Sequence, residues 1–342
     1  MKNNLYAPKK SCTLILEYGI PHYRRFLFEF LDDSFREFHI YHSGERFEEN
    51  DIFHNTKGFN LKIKGEFSLV FFNPIEIIKS DVIITTFNIY KPHTWLWIVL
   101  MPWKNWILWG QGLGSSRSKL LLLFRKFILS LSKGYVVYTQ FGRQRMIEHG
   151  IDPQKISVAG NTLQVNNHGL TKGARYFLFV GRIQKRKGLE IALEICSKLN
   201  LRFIIVGDGD EKLFLKRKYC GFKNILFLNS IYDEGELKTI FENAIAYVSP
   251  NHVGLGVVHS FAYGIPVVTN KSKEHAPEFE YCSEENSYLY ENDIQLENVL
   301  LDAMNNKFER EKKGEAAYNF YRENLSSERM IRSFMYHLEK II

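Results

Sequence analysis

Short apolar runs alternate with helix-length amphipathic segments along most of the 342-residue chain. In the first half the strand-like runs are CTLILEYG, EFHIYH, SDVIITTF, NWILWG, GYVVYT and KISVAG. In the second they are YFLFVG, LRFIIVG, ILFLN, AIAYVSP and IPVVTN. Between these last five the pattern predicts helices over 189–199, 210–220, 233–243 and 257–263, the second and third opening on Asp210 and Asp233 as N-caps. Strands linked by helical crossovers form a parallel sheet buried on both faces, so its strands read as unbroken apolar runs. The second half is a doubly wound α/β domain by this pattern, and the first half follows it with less regularity. NNHGLTKGAR (166–175) is polar and glycine-bearing and reads as a linker, while the charged tail past residue 305 reads as terminal helices. The expected organisation is one domain over 1–168, a second over 169–315, and helices over 316–342 placed to pack back on the first.

Composition adds a class. Hydrophobic residues at 45% and charged residues at 24% are ordinary for a globular chain of two compact units. The net charge of +7 favours anionic partners: nucleotide phosphates, nucleic acid or an anionic membrane. Cys12, Cys196, Cys220 and Cys282 are scattered, without metal or redox spacing, and read as reduced thiols, which suits the cytoplasm. Residues 1–10 are polar and do not resemble a secretory leader. The most apolar stretch, 93–109, is broken by Pro102, Lys104 and Asn105 before it reaches the roughly 18–20 residues of a spanning helix.

Ligands of doubly wound sheets bind beyond the carboxyl ends of the strands, where glycine turns lead into helices. Three such turns stand out. In GRIQKRKG (181–188), Gly181 permits a close turn, and Arg182 and Lys187 follow as cations for a phosphate; a solvated basic loop is the alternative. In SPNHVGLGVVHS (249–260), Gly254 and Gly256 precede a helix, either to let an anion reach the backbone or to give clearance for packing, with His259 one turn further on. In GDGDEK (207–212), Asp208 and Asp210 form too small a carboxylate set for a metal, and Asp210 reads as a cap.

FVGRIQKRKGLEIAL, IIVGDGDEKLFL, YDEGELKTIFENAIAYVSP and VGLGVVHSFAYGIPVVTN with PEF after it, in that order over 176–293, resemble the donor-binding half of a family 4 glycosyltransferase of GT-B architecture. The resemblance implies an α/β fold of two Rossmann-like doubly wound domains facing a central cleft. It implies sugar transfer from a nucleotide diphosphate, with retention and without a metal or other cofactor. It assigns Arg182 and Lys187 to the diphosphate, and the region of Gly181, Gly207, Gly254, Leu255, Gly256 and Val257 to the donor. The family's two glutamates, eight residues apart, correspond here to Asn251 and His259. The sequence resembles a surface-polysaccharide subgroup in which His259 takes the ribose or phosphate role, and Glu278 follows as the acidic residue after the next strand.

The first half resembles the family more loosely. YGIPHYRRFLFEFL (18–31) offers Gly19 for the donor and His22, Tyr23 and Arg24 for the acceptor, and WGQGLG (109–114) has Gln111 where a sugar-side histidine is expected. The implied partners are a nucleotide-sugar donor and a glycan or lipid-linked glycan acceptor. SRSKLLLLFRKFILSLSK (116–133) reads either as an amphipathic helix for peripheral contact with an anionic membrane or as a core helix. A degenerate nucleotide-binding partner subunit is the alternative function. A dehydrogenase lacks its full glycine fingerprint here, and nucleic acid lacks a gathered basic motif.

Overall fold

The computed structural model describes residues 10–44, 53–64, 67–113, 118–166, 168–170, 173–271 and 275–341. The polar amino terminus up to residue 9, Gly114 and the start of the 116–133 segment lie outside them. Two compact units make up the chain: Met1–Gln164 with Ser327–Ile342, and Val165–Ser326.

The first unit holds strands β1 (Ser11–Ile15), β2 (Glu37–His42), β3 (Asn55–Lys57), β6 (Val82–Thr86), β7 (Asn105–Gly110), β8 (Gly134–Val137) and β9 (Ile156–Val158). They form one parallel sheet in the order β3-β2-β1-β6-β7-β8-β9, and β4 (Phe59–Lys64) and β5 (Phe67–Phe71) pair separately as an antiparallel hairpin. Alternation explains the two cores of this unit. Val82, Ile84 and Ile107 face one side, whereas Ile83, Trp106 and Leu108 face the other, and all are fully buried. Helices α1 (Arg25–Ser34), α2 (Ile75–Lys79), α3 (Leu96–Leu100), α4 (Lys119–Leu131) and α5 (Gln140–Glu148) complete the unit's chain segment.

The second unit is the more regular. Its strands are β10 (Tyr176–Val180), β11 (Phe203–Val206), β12 (Ile225–Leu228), β13 (Ala244–Val248), β14 (Val267–Asn270) and β15 (Ser287–Tyr290), all parallel, in the order β12-β11-β10-β13-β14-β15. The helices are α6 (Leu189–Lys198), α7 (Lys212–Lys218), α8 (Glu234–Glu242), α9 (Gly256–Ala262), α10 (Asp293–Asn305) and α11 (Lys307–Phe320). Asp233 caps α8, accepting from the Glu236 amide at 2.9 Å. Asp210 does not cap α7: the N-cap is Glu211, without a side-chain bond, because the chain enters the helix one residue later than the pattern suggests.

The last helix, α12 (Ser327–Ile341), belongs to the first unit. Ser333 donates from its hydroxyl to the Val158 carbonyl at 2.7 Å, and Phe334 meets Trp109 edge-on with centroids 5.4 Å apart. Met330, Phe334 and Leu338 recur at helical spacing and are buried in the core beneath α1.

Candidate functional site

In the second sheet the strand order reverses between β10 and β13, and a doubly wound sheet opens its ligand crevice at such a reversal. The turn after β10 carries Gly181, Arg182 and Lys187, and the turn after β13 carries Asn251, Gly254 and Leu255. The structure joins the two turns. Lys187 Nζ donates to the His252 carbonyl at 2.6 Å, and the Asn251 amide donates to the Lys187 carbonyl at 3.1 Å. A Cβ placed on Gly254 would lie 3.4 Å from Lys187 Nζ, so the ammonium sits against the glycine turn. Burial and the neighbouring Arg186 push the Lys187 pKa down to about 8, and the Glu278 carboxylate works the other way. An ammonium has three donors, of which one is taken up here by a protein acceptor. Arg182 is exposed at the mouth of the same turn.

One peptide unit fixes the glycine turn. The carbonyl of the His252–Val253 peptide accepts from Lys187, and from the Ser249 hydroxyl at 3.1 Å; its N–H, on Val253, donates to His275 Nδ1 at 3.1 Å. Because Nδ1 accepts, His275 carries its proton on Nε2 and donates to the Asn270 carbonyl at 2.5 Å. Its ring also stacks on Phe279, 4.2 Å away and 11° from parallel. The sequence reading does not single out His275, since nothing in KEHAPEF announces that its ring reaches back to the turn.

The two glycines before α9 do different jobs. A Cβ at Gly256 would fall 2.1 Å from the Tyr247 hydroxyl on β13, so this glycine lets the helix pack on the strand. Gly254 instead borders Lys187. The Val257 and Val258 amides donate to the Gly254 and Leu255 carbonyls, which leaves the amides of Gly254, Leu255 and Gly256 as the open donors of the turn among the described residues. Val257 itself is buried, and its amide is taken up by the Gly254 carbonyl.

His259 lies nearly parallel to Phe241, with centroids 5.6 Å apart. Burial pushes its pKa down to about 4, so it stands neutral at pH 7 and adds no positive charge. Asn251 is wedged against Gly188, where a Cβ would lie 2.3 Å from its amide nitrogen. Glu278 is buried in the short helix Pro277–Tyr281, following His275 closely in the chain.

The turn after β11 is zipped to the turn after β10 by backbone. Ile183 N donates to the Asp208 carbonyl at 2.8 Å, and a Cβ on Gly207 would lie 2.0 Å from the Gly181 carbonyl oxygen, so only glycine permits the approach. Asp208 accepts from the Gly209 amide, and Lys212 crosses to Asn229 at the end of β12, 3.0 Å away. Among the described residues no three His, Cys, Asp or Glu side chains gather as a metal set. A groove of about 420 Å³ opens between the 184–191 segment and α7, lined by Gln184, Lys185, Leu189 and Phe214. It lacks Arg182, Lys187 and the glycine turn, and so the cations of the switch point mark the site rather than this groove.

In the first unit the proposed acceptor residues separate. Arg24 is buried: its guanidinium donates to the Thr162 carbonyl and the Asn161 side chain and lies 5.3 Å from the Trp109 and Tyr23 rings. It is an internal strut, which corrects its reading as an acceptor contact. Tyr23 is half-buried beside it, and the His22 side chain lies outside the described residues. Gly19 is buried in the turn after β1, and Gln111 is exposed at the end of β7, where the next amide, of Gly112, donates to the Tyr135 hydroxyl at 3.2 Å. Around the end of β1 the structure adds residues the sequence reading did not single out. Glu17 accepts from Asn88 at 2.7 Å, and Lys91, buried, donates to Ser68 at 2.7 Å beneath the Tyr18 ring. The signal available was a carboxylate, Glu17, ending an otherwise apolar strand.

Residues 161–320 match the family model of the glycosyl transferases group 1. The D-rhamnosyltransferase WbpZ of Pseudomonas aeruginosa is 28% identical over 137 residues, 38% of this chain and 35% of that protein. O-antigen chain mannosyltransferase C of Escherichia coli is 27% identical over 146 residues, 41% of this chain and 38% of that protein. The chain thus spans well under two thirds of the length of these relatives. The Anabaena protein HepE, solved in complex with UDP, superposes with a TM-score of 0.69 at 12% identity, over 97% of this chain and 100% of that one. Residues 161–320 are accordingly similar to the glycosyl transferases group 1, within a chain of GT-B fold.

Proposed function

We propose that this protein is a retaining, metal-independent glycosyltransferase, which moves a hexose-type sugar from a nucleotide diphosphate to a glycan or lipid-linked glycan during surface-polysaccharide synthesis at the cytoplasmic face of a membrane. The observation that carries the proposal is Lys187: a desolvated ammonium at the sheet's switch point, held against a glycine turn with open amides. UDP in the HepE complex and the sugar-transferase names of the bacterial relatives support the choice of donor class and pathway.

In such a transfer the bond from the anomeric carbon to the diphosphate oxygen breaks, and a bond from the acceptor oxygen forms on the same face. Negative charge grows on the leaving diphosphate. Lys187 and Arg182 face that charge with the amides of 254–256, and fixed donors in a desolvated site need no reorganisation as it develops. The acceptor's proton passes to a departing phosphate oxygen, so no titrating base is required at Gln111, which orients the sugar by hydrogen bonding. His259, neutral and braced on Phe241, serves the ribose as a hydrogen-bonding partner, and Asn251 does not supply the carboxylate that the family pattern has there.

Thermal-shift and calorimetric titration with UDP and GDP, followed by a donor-hydrolysis assay, tests the reading. Saturable binding with turnover is the expected result. No binding of either nucleotide would overturn the proposal, and binding without any turnover would turn it into a nucleotide-binding partner subunit.

A further inference from the structure

We propose that the first sheet's reversal point is a subsite for a neutral, polyhydroxylated sugar, where Glu17 binds hydroxyls and turns anionic sugars away. The subsite rests on the transferase reading and names the chemical class of its acceptor. In the order β3-β2-β1-β6-β7-β8-β9 the reversal falls between β1 and β6, and a doubly wound sheet opens a crevice at such a place. Glu17 follows β1 and Asn88 follows β6, both half-buried. At the corresponding reversal of the second sheet stands the Lys187 ammonium. A carboxylate repels the phosphates that an ammonium attracts, so the two crevices suit different chemistry.

Glu17 is held in place from three directions. Its amide donates to the Thr86 hydroxyl at 2.8 Å, its carboxylate accepts from the Asn88 side chain at 2.7 Å, and the Leu16 carbonyl before it meets His93 Nε2 at 3.2 Å. The Tyr90 amide donates to Asn88 Oδ1 at 3.0 Å, which fixes that side chain with its NH2 toward Glu17. Behind this layer the Lys91 amide and the Thr94 hydroxyl donate to the Asn88 carbonyl. Lys91 itself is buried, turned to the Ser68 hydroxyl and 5.2 Å from the centre of the Tyr18 ring, so its charge is engaged inside the unit. A carboxylate locked by two layers of hydrogen bonds is preorganised for a ligand. It accepts at several lone pairs, and so it keeps Asn88 while receiving hydroxyl protons in short, charge-assisted bonds. Asn88 gives one amide hydrogen to Glu17, and its second is a donor for a sugar oxygen. An acceptor and a donor side by side match a pair of neighbouring hydroxyls, each of which both donates and accepts. A uronate or a sugar phosphate instead brings a like charge against Glu17, and that repulsion is the element of selectivity.

The test is saturation-transfer NMR on the full chain with methyl glycosides: the neutral mannoside, rhamnoside, glucoside and galactoside, and the anionic glucuronide and galacturonide. Saturable binding of at least one neutral glycoside is expected, about tenfold tighter than either uronide. Glu17→Gln keeps the size and an acceptor for Asn88, so its melting temperature should match the wild type while the preference for neutral sugar falls by about tenfold. Asn88→Ala, which loosens the carboxylate without discharging it, should weaken neutral binding by roughly three- to tenfold and leave the preference in place. UDP binding by both variants should stay at the wild-type value, which keeps the donor reading separate. Lost sugar selectivity with UDP binding intact supports the subsite; a wild-type chain that fails to bind UDP overturns the donor reading and leaves the sugar result standing. No saturable binding of any neutral glycoside, equal binding of neutral and anionic ones, or an unchanged preference in folded Glu17→Gln overturns the proposal.

Discussion

Arg24 and Lys187 stand at comparable places, each just past a strand near its sheet's reversal, and each reads from sequence as a cation waiting for a ligand. The structure separates them by how far their donors are used up. Arg24 is enclosed by a carbonyl, a side-chain amide, the Met330 sulfur and aromatic faces. Lys187 has one carbonyl and a turn of open amides. Burial alone therefore does not mark a functional cation; burial with spare hydrogen-bonding capacity does, because a desolvated charge with unused donors has the most to gain from an incoming anion.

The largest expected effect breaks this contrast on the ligand side. Lys187→Ala should lower turnover about 10²- to 10³-fold, roughly 3–4 kcal/mol of transition-state stabilisation, with the melting temperature nearly unchanged. Single-turnover kinetics on purified protein checks it, and a folded variant with near-normal rate would show that the diphosphate is held elsewhere. The complementary loss falls on Arg24→Ala, which should destabilise the protein by about 2–4 kcal/mol in urea unfolding, since it strands buried acceptors. If that variant folds normally and loses only activity, the two residues are not different in kind.

Much of this was legible in sequence. The strands of the two parallel sheets that carry a continuous apolar run were found, because a parallel strand buried on both faces must be apolar throughout. β15 escaped notice: SYLY buries Ser287 as well as tyrosines, so it shows no such run. The β4–β5 hairpin lies outside the main sheet: FNLKIK escaped because polar residues alternate with apolar ones, and FSLVF was missed although it is mostly apolar. At the site, residues contributed by a turn's own glycines and cations were readable, since their chemistry is local. Arg24 and His275 were misjudged or missed because their roles are set by partners distant in the chain, Thr162 for one and Val253 for the other.

A pH profile sharpens the contrast. With the Lys187 pKa at about 8, kcat/KM for the donor should be flat below that value and fall about tenfold per unit above it, as the ammonium loses its proton. Stability moves the opposite way. The folded state disfavours the charged lysine, a cost fully present below about pH 8 and relieved as pH rises toward the unfolded value of 10.5. Activity declining while this stability term improves distinguishes titration from alkaline unfolding. Lys187→Arg, which keeps its charge, should lack the limb, and a limb that persists there belongs to another group.

The smallest effect concerns what holds the turn to which Lys187 is bonded. His275→Phe preserves the stack on Phe279 but removes both the acceptor for the Val253 amide and the donor to Asn270. Two hydrogen bonds of ordinary strength are lost without removing any charge from the site, so the donor KM should rise by about tenfold, with kcat changing less. His275→Gln retains one acceptor and one donor and should recover part of that loss. If the phenylalanine variant binds donor as well as the wild type, the His252–Val253 peptide is held by Lys187 and Ser249 alone, and the turn is stiffer on its carbonyl side than on its amide side.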